Sequence, residues 1–128
     1  IDYKAKAKKT LELLKKYDGV YIHIKGPDEP GHDGDAVLKK KVIEQIDSEF
    51  FKLLVKKSNL YEITFLISAD HSTPCNIKGH SADPVPVLIS GPNVKKDNVC
   101  RFTEKETSKG NLGIMMGKNV LAMAISLL

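Results

Sequence analysis

Residues 20–67 read VYIHIKGPDEPGHDGDAVLKKKVIEQIDSEFFKLLVKKSNLYEITFLI, and the order of patterns inside this stretch decides the fold. Val20 to Ile24 is a short apolar, β-branched run of the kind expected for a buried strand. A polar turn from Gly26 to Asp35 follows it. From Ala36 to about Lys57, the residues Val42, Ile46, Phe50 and Leu53 form a stripe at near-helical intervals, which predicts a long helix with Asp35 as its N-cap. Tyr61 to Ile67 is strand-like again. Strand, long helix, strand is the pattern of a βαβ unit, whose right-handed crossover makes the two strands parallel and leaves their carboxyl ends along one sheet edge.

Upstream, Ala7, Leu11 and Leu14 fall on one face of an amphipathic helix from Lys4 to Tyr17, with lysines on the other face and Asp18 and Gly19 as the stop. The chain opens at Ile1, without Met, directly in this helical pattern, and a fragment of something longer is expected. Downstream, a polar loop from Ala69 to Pro84 leads to a third strand at Val85 to Ser90. The segment from Gly91 to Gly113 is irregular and polar, with a hairpin expected around Asn98 to Thr103, and a last helix is expected from about Lys118 to Leu128. The fold class is therefore α/β, a largely parallel sheet flanked by helices.

A length of 128 residues at 41% hydrophobic content suits one small domain with a modest core. No apolar stretch approaches the roughly 18 residues of a membrane span, and no charged-then-apolar leader opens the sequence. A soluble, cytoplasmic protein with no membrane partner is expected. Cys75 and Cys100 lie far apart with no Cys-x-x-Cys spacing, so neither a disulfide framework nor a Cys-rich zinc module is expected, and reduced thiols are the default. The net charge of +4 comes almost wholly from Lys, since Arg101 is the only arginine. Lys4, Lys6, Lys8, Lys9, Lys15, Lys16 and Lys39 to Lys41 read as solvated helix faces. With aromatics at 6%, a nucleic-acid partner is not expected.

The chemistry lies in the loops after the first two strands. Asp28 and His32 stand in the first, and Asp70, His71 and, further on, His80 in the second. In open α/β sheets ligands bind outside the carboxyl ends of the strands, so these side chains are expected to converge where topology places a site. Asp28 and His32, four apart across a Pro- and Gly-rich turn, can chelate one ion. Adjacent Asp70 and His71 can address two neighbouring ions. Imidazole and carboxylate ligands suit Mn²⁺, Zn²⁺ or Co²⁺ better than Ca²⁺, and a pair of such ions would polarise a phosphoryl group and activate a nucleophile beside it. Taken singly, each of these Asp residues reads as a turn former and each His as a solvated loop residue. The set of two carboxylates and three histidines is what points to metal.

Pro27-Asp28-Glu29-Pro30-Gly31-His32-Asp33-Gly34, then Ala69-Asp70-His71-Ser72, then Gly79-His80-Ser81 leading into Pro84-Val85-Pro86-Val87 resemble, in order and spacing, the metal motifs of the cofactor-independent phosphoglycerate mutases of the alkaline phosphatase superfamily. The wording around them, His23-Ile24-Lys25 and Asp70 to Cys75, is similar to the archaeal branch. The resemblance runs over nearly the whole chain and implies that residues 1–128 are the C-terminal, metal-binding part of an alkaline-phosphatase-like domain. It implies that Asp28, His32 and His80 hold one divalent ion and that Asp70 and His71 hold the other, with Mn, Co, Zn or Mg as the metal. In that family an Asp and a nucleophilic Ser from near the N-terminus of the full enzyme complete the second ion. Neither has a recognisable counterpart here, so the resemblance implies no catalytic nucleophile in this chain, a missing N-terminal part as partner, and an inactive chain when isolated. The reaction implied is transfer of phosphate from 3-phosphoglycerate onto Ser and back to the 2-hydroxyl, in glycolysis and gluconeogenesis, with no need of 2,3-bisphosphoglycerate.

Ser72 and Ser81 stand next to proposed ligands but not at the family's nucleophile position, and read as turn or supporting residues. Lys25, Lys78 and Arg101 are the candidate contacts to the phosphate and carboxylate of a phosphoglycerate substrate, with ordinary surface charge an equal reading of the two lysines, and further arginines would have to be borrowed. His23 reads as a core histidine, Cys75 as a buried structural thiol, and Asp33, Asp35 and Asp83 as turn, cap or supporting groups. Two rivals remain: another metal-dependent phosphatase or phosphomutase on the same scaffold, and a non-catalytic metal-binding module stabilised by its ion.

Overall fold

Helix α1 spans Tyr3–Leu13, starting where the Asp2 carboxylate accepts the Ala5 backbone N–H at 2.8 Å and so satisfies one of the free donors of the first turn. Its buried face is Tyr3, Ala7 and Thr10, the expected Ala7 stripe, with Leu11 and Leu14 half-buried. The computed structural model describes residues 1–128, and the chain packs as two compact units. One comprises Ile1–Ser58 with Thr73–Ser81, the other Asn59–Ser72 with Ala82–Leu128.

The first unit is helical. After α1, the segment expected as a buried strand, Val20 to Ile24, forms no strand. Burial nevertheless alternates along it from half-buried to exposed, the period of a strand, with Tyr21 90% exposed. A ladder needs a neighbouring backbone to bond, and here the one hydrogen bond to this run comes from Lys6 Nζ to the His23 carbonyl at 3.1 Å. His23 is exposed rather than a core histidine, because period-2 alternation sends it to the open face.

The Pro- and Gly-rich segment expected as a turn contains a short helix, α2, Asp28–Asp33. Pro30 is tolerated because it lies in the first turn, whose N–H groups have no intrahelical acceptor. Asp28 and Glu29 stand at the positive end of the helix dipole, and Gly34 closes it in the left-handed conformation at φ 78°. Helix α3, Ala36–Gln45, follows with Asp35 as its N-cap as expected, the carboxylate accepting Leu38 N–H at 2.8 Å. The helix continues through a π-helical turn at Ile46–Phe51 into α4, Lys52–Lys57. The wider turn inserts one residue into the helical period, so the buried stripe runs Ile46, Phe50, Leu54 rather than to Leu53. Helix α1 packs on the π turn and on α4. Phe50 and Leu54, 3% and 2% exposed, each contribute roughly 1.5–3 kcal/mol by leaving water.

The second unit holds the sheet. Strands β1, Phe65–Ser68, and β2, Val87–Ser90, pair antiparallel with Phe65 opposite Ser90 and Ser68 opposite Val87. The largely parallel sheet expected from the βαβ pattern is thus replaced by a two-stranded antiparallel ladder. Residues 69–86 contain no helix, so nothing carries the chain over the sheet to a parallel start. Beyond β2, the hairpin expected at Asn98 to Thr103 is absent: Asp97 accepts Val99 N–H at 2.9 Å and Asn111 N–H at 3.1 Å, closing a loop around α5, Glu104–Thr107. Helix α6 spans Gly117–Ile125. No helix is long and apolar enough to cross a membrane.

Candidate metal centre

Because α2 is helical, residues four apart on it lie on one face, and Asp28 and His32 are such a pair. Their Oδ1 and Nε2 atoms are 3.3 Å apart. The segment Thr73–Ser81 of the same unit brings His80 against both: its Nε2 lies 3.2 Å from His32 Nε2 and 3.6 Å from Asp28 Oδ1. The two rings are 5.0 Å apart between centroids and tilted by 49°, so they approach through nitrogen rather than by stacking. Within this unit, three of the five residues expected to bind metal therefore come together, with the grouping expected for one ion.

One carboxylate oxygen and two imidazole nitrogens form a triangle with edges of 3.2, 3.3 and 3.6 Å. Three ligands of a tetrahedral ion at ~2.1 Å would stand about 3.4 Å from one another. The donors match that spacing. His32 Nδ1 is 3.4 Å from the Lys78 carbonyl, an oxygen that can only accept, so Nδ1 is the donor of that contact. His32 Nε2 faces a carboxylate and a second imidazole, a donor set that suits a divalent cation. The Asp28 side chain is 18% exposed while those of His32 and His80 are 43% and 53% exposed, so the carboxylate is sheltered and the imidazoles face an open side by which an ion can enter.

The surroundings hold the triangle in place. Thr73, 5% exposed, donates its hydroxyl to Asp28 Oδ1 at 2.9 Å, and its carbonyl accepts Lys39 Nζ at 2.6 Å. Gly31, one residue before His32, lies so close to this strand of chain that a Cβ there would stand 2.7 Å from the Thr73 carbonyl oxygen. Lys78 adopts a left-handed φ of 56°, an uncommon conformation for a side chain of its size, and presents the carbonyl that His32 meets. Cys75 is half-buried rather than buried, its Sγ 4.0 Å from the Pro30 carbonyl.

In the second unit, Asp70 and His71 follow β1 directly, with His71 Nε2 3.5 Å from Asp70 Oδ2. Asp70 is the more open of the two, at 65% side-chain exposure against 30% for His71. Lys25, Lys78 and Arg101, the candidate substrate cations, are all exposed. Thr73 and Lys39 escaped sequence reasoning. Lys39 reads there as surface charge, and Thr73 carries only one local hint: a β-branched hydroxyl residue before proline, held extended and stiff.

The model of the metalloenzyme superfamily matches residues 1–127. The 2,3-bisphosphoglycerate-independent phosphoglycerate mutase of Thermococcus gammatolerans is 42% identical over 127 residues, which are 99% of this chain and 31% of the relative. The protein of the same name from Pyrococcus abyssi is 43% identical over 124 residues, 97% of this chain and 30% of its own length. The solved structure of the PH0037 protein from Pyrococcus horikoshii superposes with a TM-score of 0.95 at 42% identity, covering 98% of this chain and 38% of that one. The chain thus spans about a third of the length of the curated relatives it matches.

Proposed function

This chain belongs to the metalloenzyme superfamily, and on that premise we propose that it forms the metal-holding portion of a 2,3-bisphosphoglycerate-independent phosphoglycerate mutase, an isomerase interconverting 3-phosphoglycerate and 2-phosphoglycerate in glycolysis and gluconeogenesis. The observation that carries this reading is the triangle of Asp28, His32 and His80, with donor atoms 3.2 to 3.6 Å apart. These three side chains hold one divalent ion, and Asp70 and His71 hold a second. Oxygen and nitrogen donors favour Mn, Co, Zn or Mg.

Bound ions of this kind lower the pKa of a serine hydroxyl and offset charge on phosphoryl oxygens. The chain's own residues prepare for this. The Lys78 carbonyl holds the His32 ring through Nδ1, and the exposed imidazole edges leave room for a phosphoryl group. Lys25, Lys78 and Arg101 are available to the phosphate and carboxylate of the substrate. Ser72 and Ser81 stand beside ligands and keep supporting roles, so the serine that takes the phosphate in transit comes from another part of the enzyme, as do the arginines that clamp the substrate. Phosphate passes through that serine, and no 2,3-bisphosphoglycerate is required. Reduced Cys75 and Cys100 suit the cytosol.

The test has two arms. Calorimetric titration of this chain with Mn²⁺, Co²⁺ or Zn²⁺ is expected to give saturable binding that His80→Ala and Asp28→Asn each weaken at least tenfold. Mutase activity from 3-phosphoglycerate is expected only when the portion carrying the nucleophilic serine is supplied as well. Turnover by this chain alone would overturn the placement of the nucleophile, and binding indifferent to both substitutions would overturn the site.

A further inference from the structure

We propose that Thr73 is a positioning residue of this centre, its hydroxyl setting the orientation and donor strength of Asp28 Oδ1. The inference rests on the metal reading given above and concerns how that site is held. Oδ1 is the oxygen that faces both imidazoles, at 3.3 Å from His32 and 3.6 Å from His80, and it is the one that receives the Thr73 hydroxyl at 2.9 Å. A hydroxyl has a single proton to donate. With it directed to Oδ1, the carboxylate is held in one rotation, with that oxygen turned toward the two imidazoles.

Three features keep the hydroxyl where it is. Thr73 is 5% exposed, so water does not compete for its proton. Pro74 follows it, which confines the Thr73 backbone to extended conformations, and β-branching limits its χ1. Its carbonyl is tied to α3 by Lys39 at 2.6 Å. The same nine residues, Thr73–Ser81, supply the ligand His80, orient Asp28 through the Thr73 hydroxyl and orient His32 through the Lys78 carbonyl. One short segment thereby governs all three donors.

The variants are Thr73→Val, which keeps the shape and deletes the donor, and Thr73→Ser, which keeps the donor. The probe is Co²⁺ alone, read by affinity and by the visible absorption of the bound ion, which follows ligand geometry. Thr73→Val is expected to bind Co²⁺ about 10- to 100-fold more weakly with a shifted spectrum at saturation, and Thr73→Ser to restore both to within about threefold. Parent-like affinity and spectrum in Thr73→Val would overturn the proposal. So would a loss shared equally by Thr73→Ser with the spectrum unchanged at saturation, which is the mark of a structural role only. Should Thr73→Val not fold, Lys39→Met decides: a shifted spectrum supports the anchored hydroxyl, and an unchanged one overturns it. A parent chain that leaves Co²⁺ unbound refutes the metal reading itself, an outcome separate from all of these.

Discussion

Replacing Gly31 by Ala tests the closeness on which the centre depends. In an isolated helix the change is favourable by roughly 0.5–1 kcal/mol, because Ala loses less backbone entropy on folding. In this fold the added Cβ would stand 2.7 Å from the Thr73 carbonyl oxygen, 3.0 Å from Thr73 Cγ2 and 3.1 Å from Lys39 Nζ. The first of these is backbone, which cannot swing aside as a lysine end can. Restoring ordinary contact at about 3.4 Å requires α2 and the 73–81 segment to part by roughly 0.7 Å, a case of overpacking that costs about 1–3 kcal/mol. The displacement crosses the seam spanned by the 3.2 Å approach of His32 to His80 and the 3.6 Å approach of His80 to Asp28. Opened by that amount, those edges reach about 3.9 and 4.3 Å, too wide for ligands at ~2.1 Å from one ion. Gly31→Ala is therefore expected to lower metal affinity about 10- to 100-fold, equivalent to roughly 1.4–2.8 kcal/mol. It is also expected to lower the denaturant midpoint of the metal-free chain. Gly19→Ala, whose Cβ would meet nothing within 4 Å, is the control, expected to leave both unchanged. A Gly31→Ala chain that binds calorimetrically like the parent and unfolds no earlier would refute the close-approach reasoning.

Phe50→Ala removes the ring that fills the space under α1, 3% exposed and edge-on to Phe51 at 5.2 Å; a loss of about 3–5 kcal/mol in urea unfolding is expected, and a loss below 1 kcal/mol would show that the π turn packs loosely. Asp35→Ala deletes the cap of α3 and is expected to cost about 1 kcal/mol, with Asp35→Ser recovering most of it in the same assay. The Val99 backbone N–H, and next that of Asn111, hold the Asp97 carboxyl below its usual range. A lowered carboxylate pKa contributes stability that is present above the unfolded value, near 4, and is lost as pH falls through the folded value. Amide-exchange protection at Val99 and Asn111 is therefore expected to hold at neutral pH and fade below about pH 4, while Asp97→Asn shows reduced protection with no acid-side fade. An equal fade in both chains would remove Asp97 as its cause.

Much of the helical framework was legible in the chain because its signals are local. The Ala7 face of α1, the Asp35 cap and the stripe through Ile46 and Phe50 each depend on residues within one or two turns of each other. The π turn broke that logic at one point, moving the stripe from Leu53 to Leu54. Helix α2 was hidden by Pro30 and Gly31, residues that ordinarily signal a turn, although the four-residue spacing of Asp28 and His32 brings the two to one side either way.

By itself the sequence pointed to candidate ligands by residue type. Two carboxylates and three histidines in ordered motifs singled out candidate donors before any geometry was known, because donor type is a property of the residue. Tertiary structure alone decided strand direction, the unpaired state of Val20 to Ile24, and the joining of His80 to α2 by way of Thr73 and Lys39. Strand pairing and the Thr73–Asp28 hydrogen bond connect residues far apart in the chain, 45 positions in the latter case. Their energies depend on where the backbone returns in space, which no local periodicity encodes.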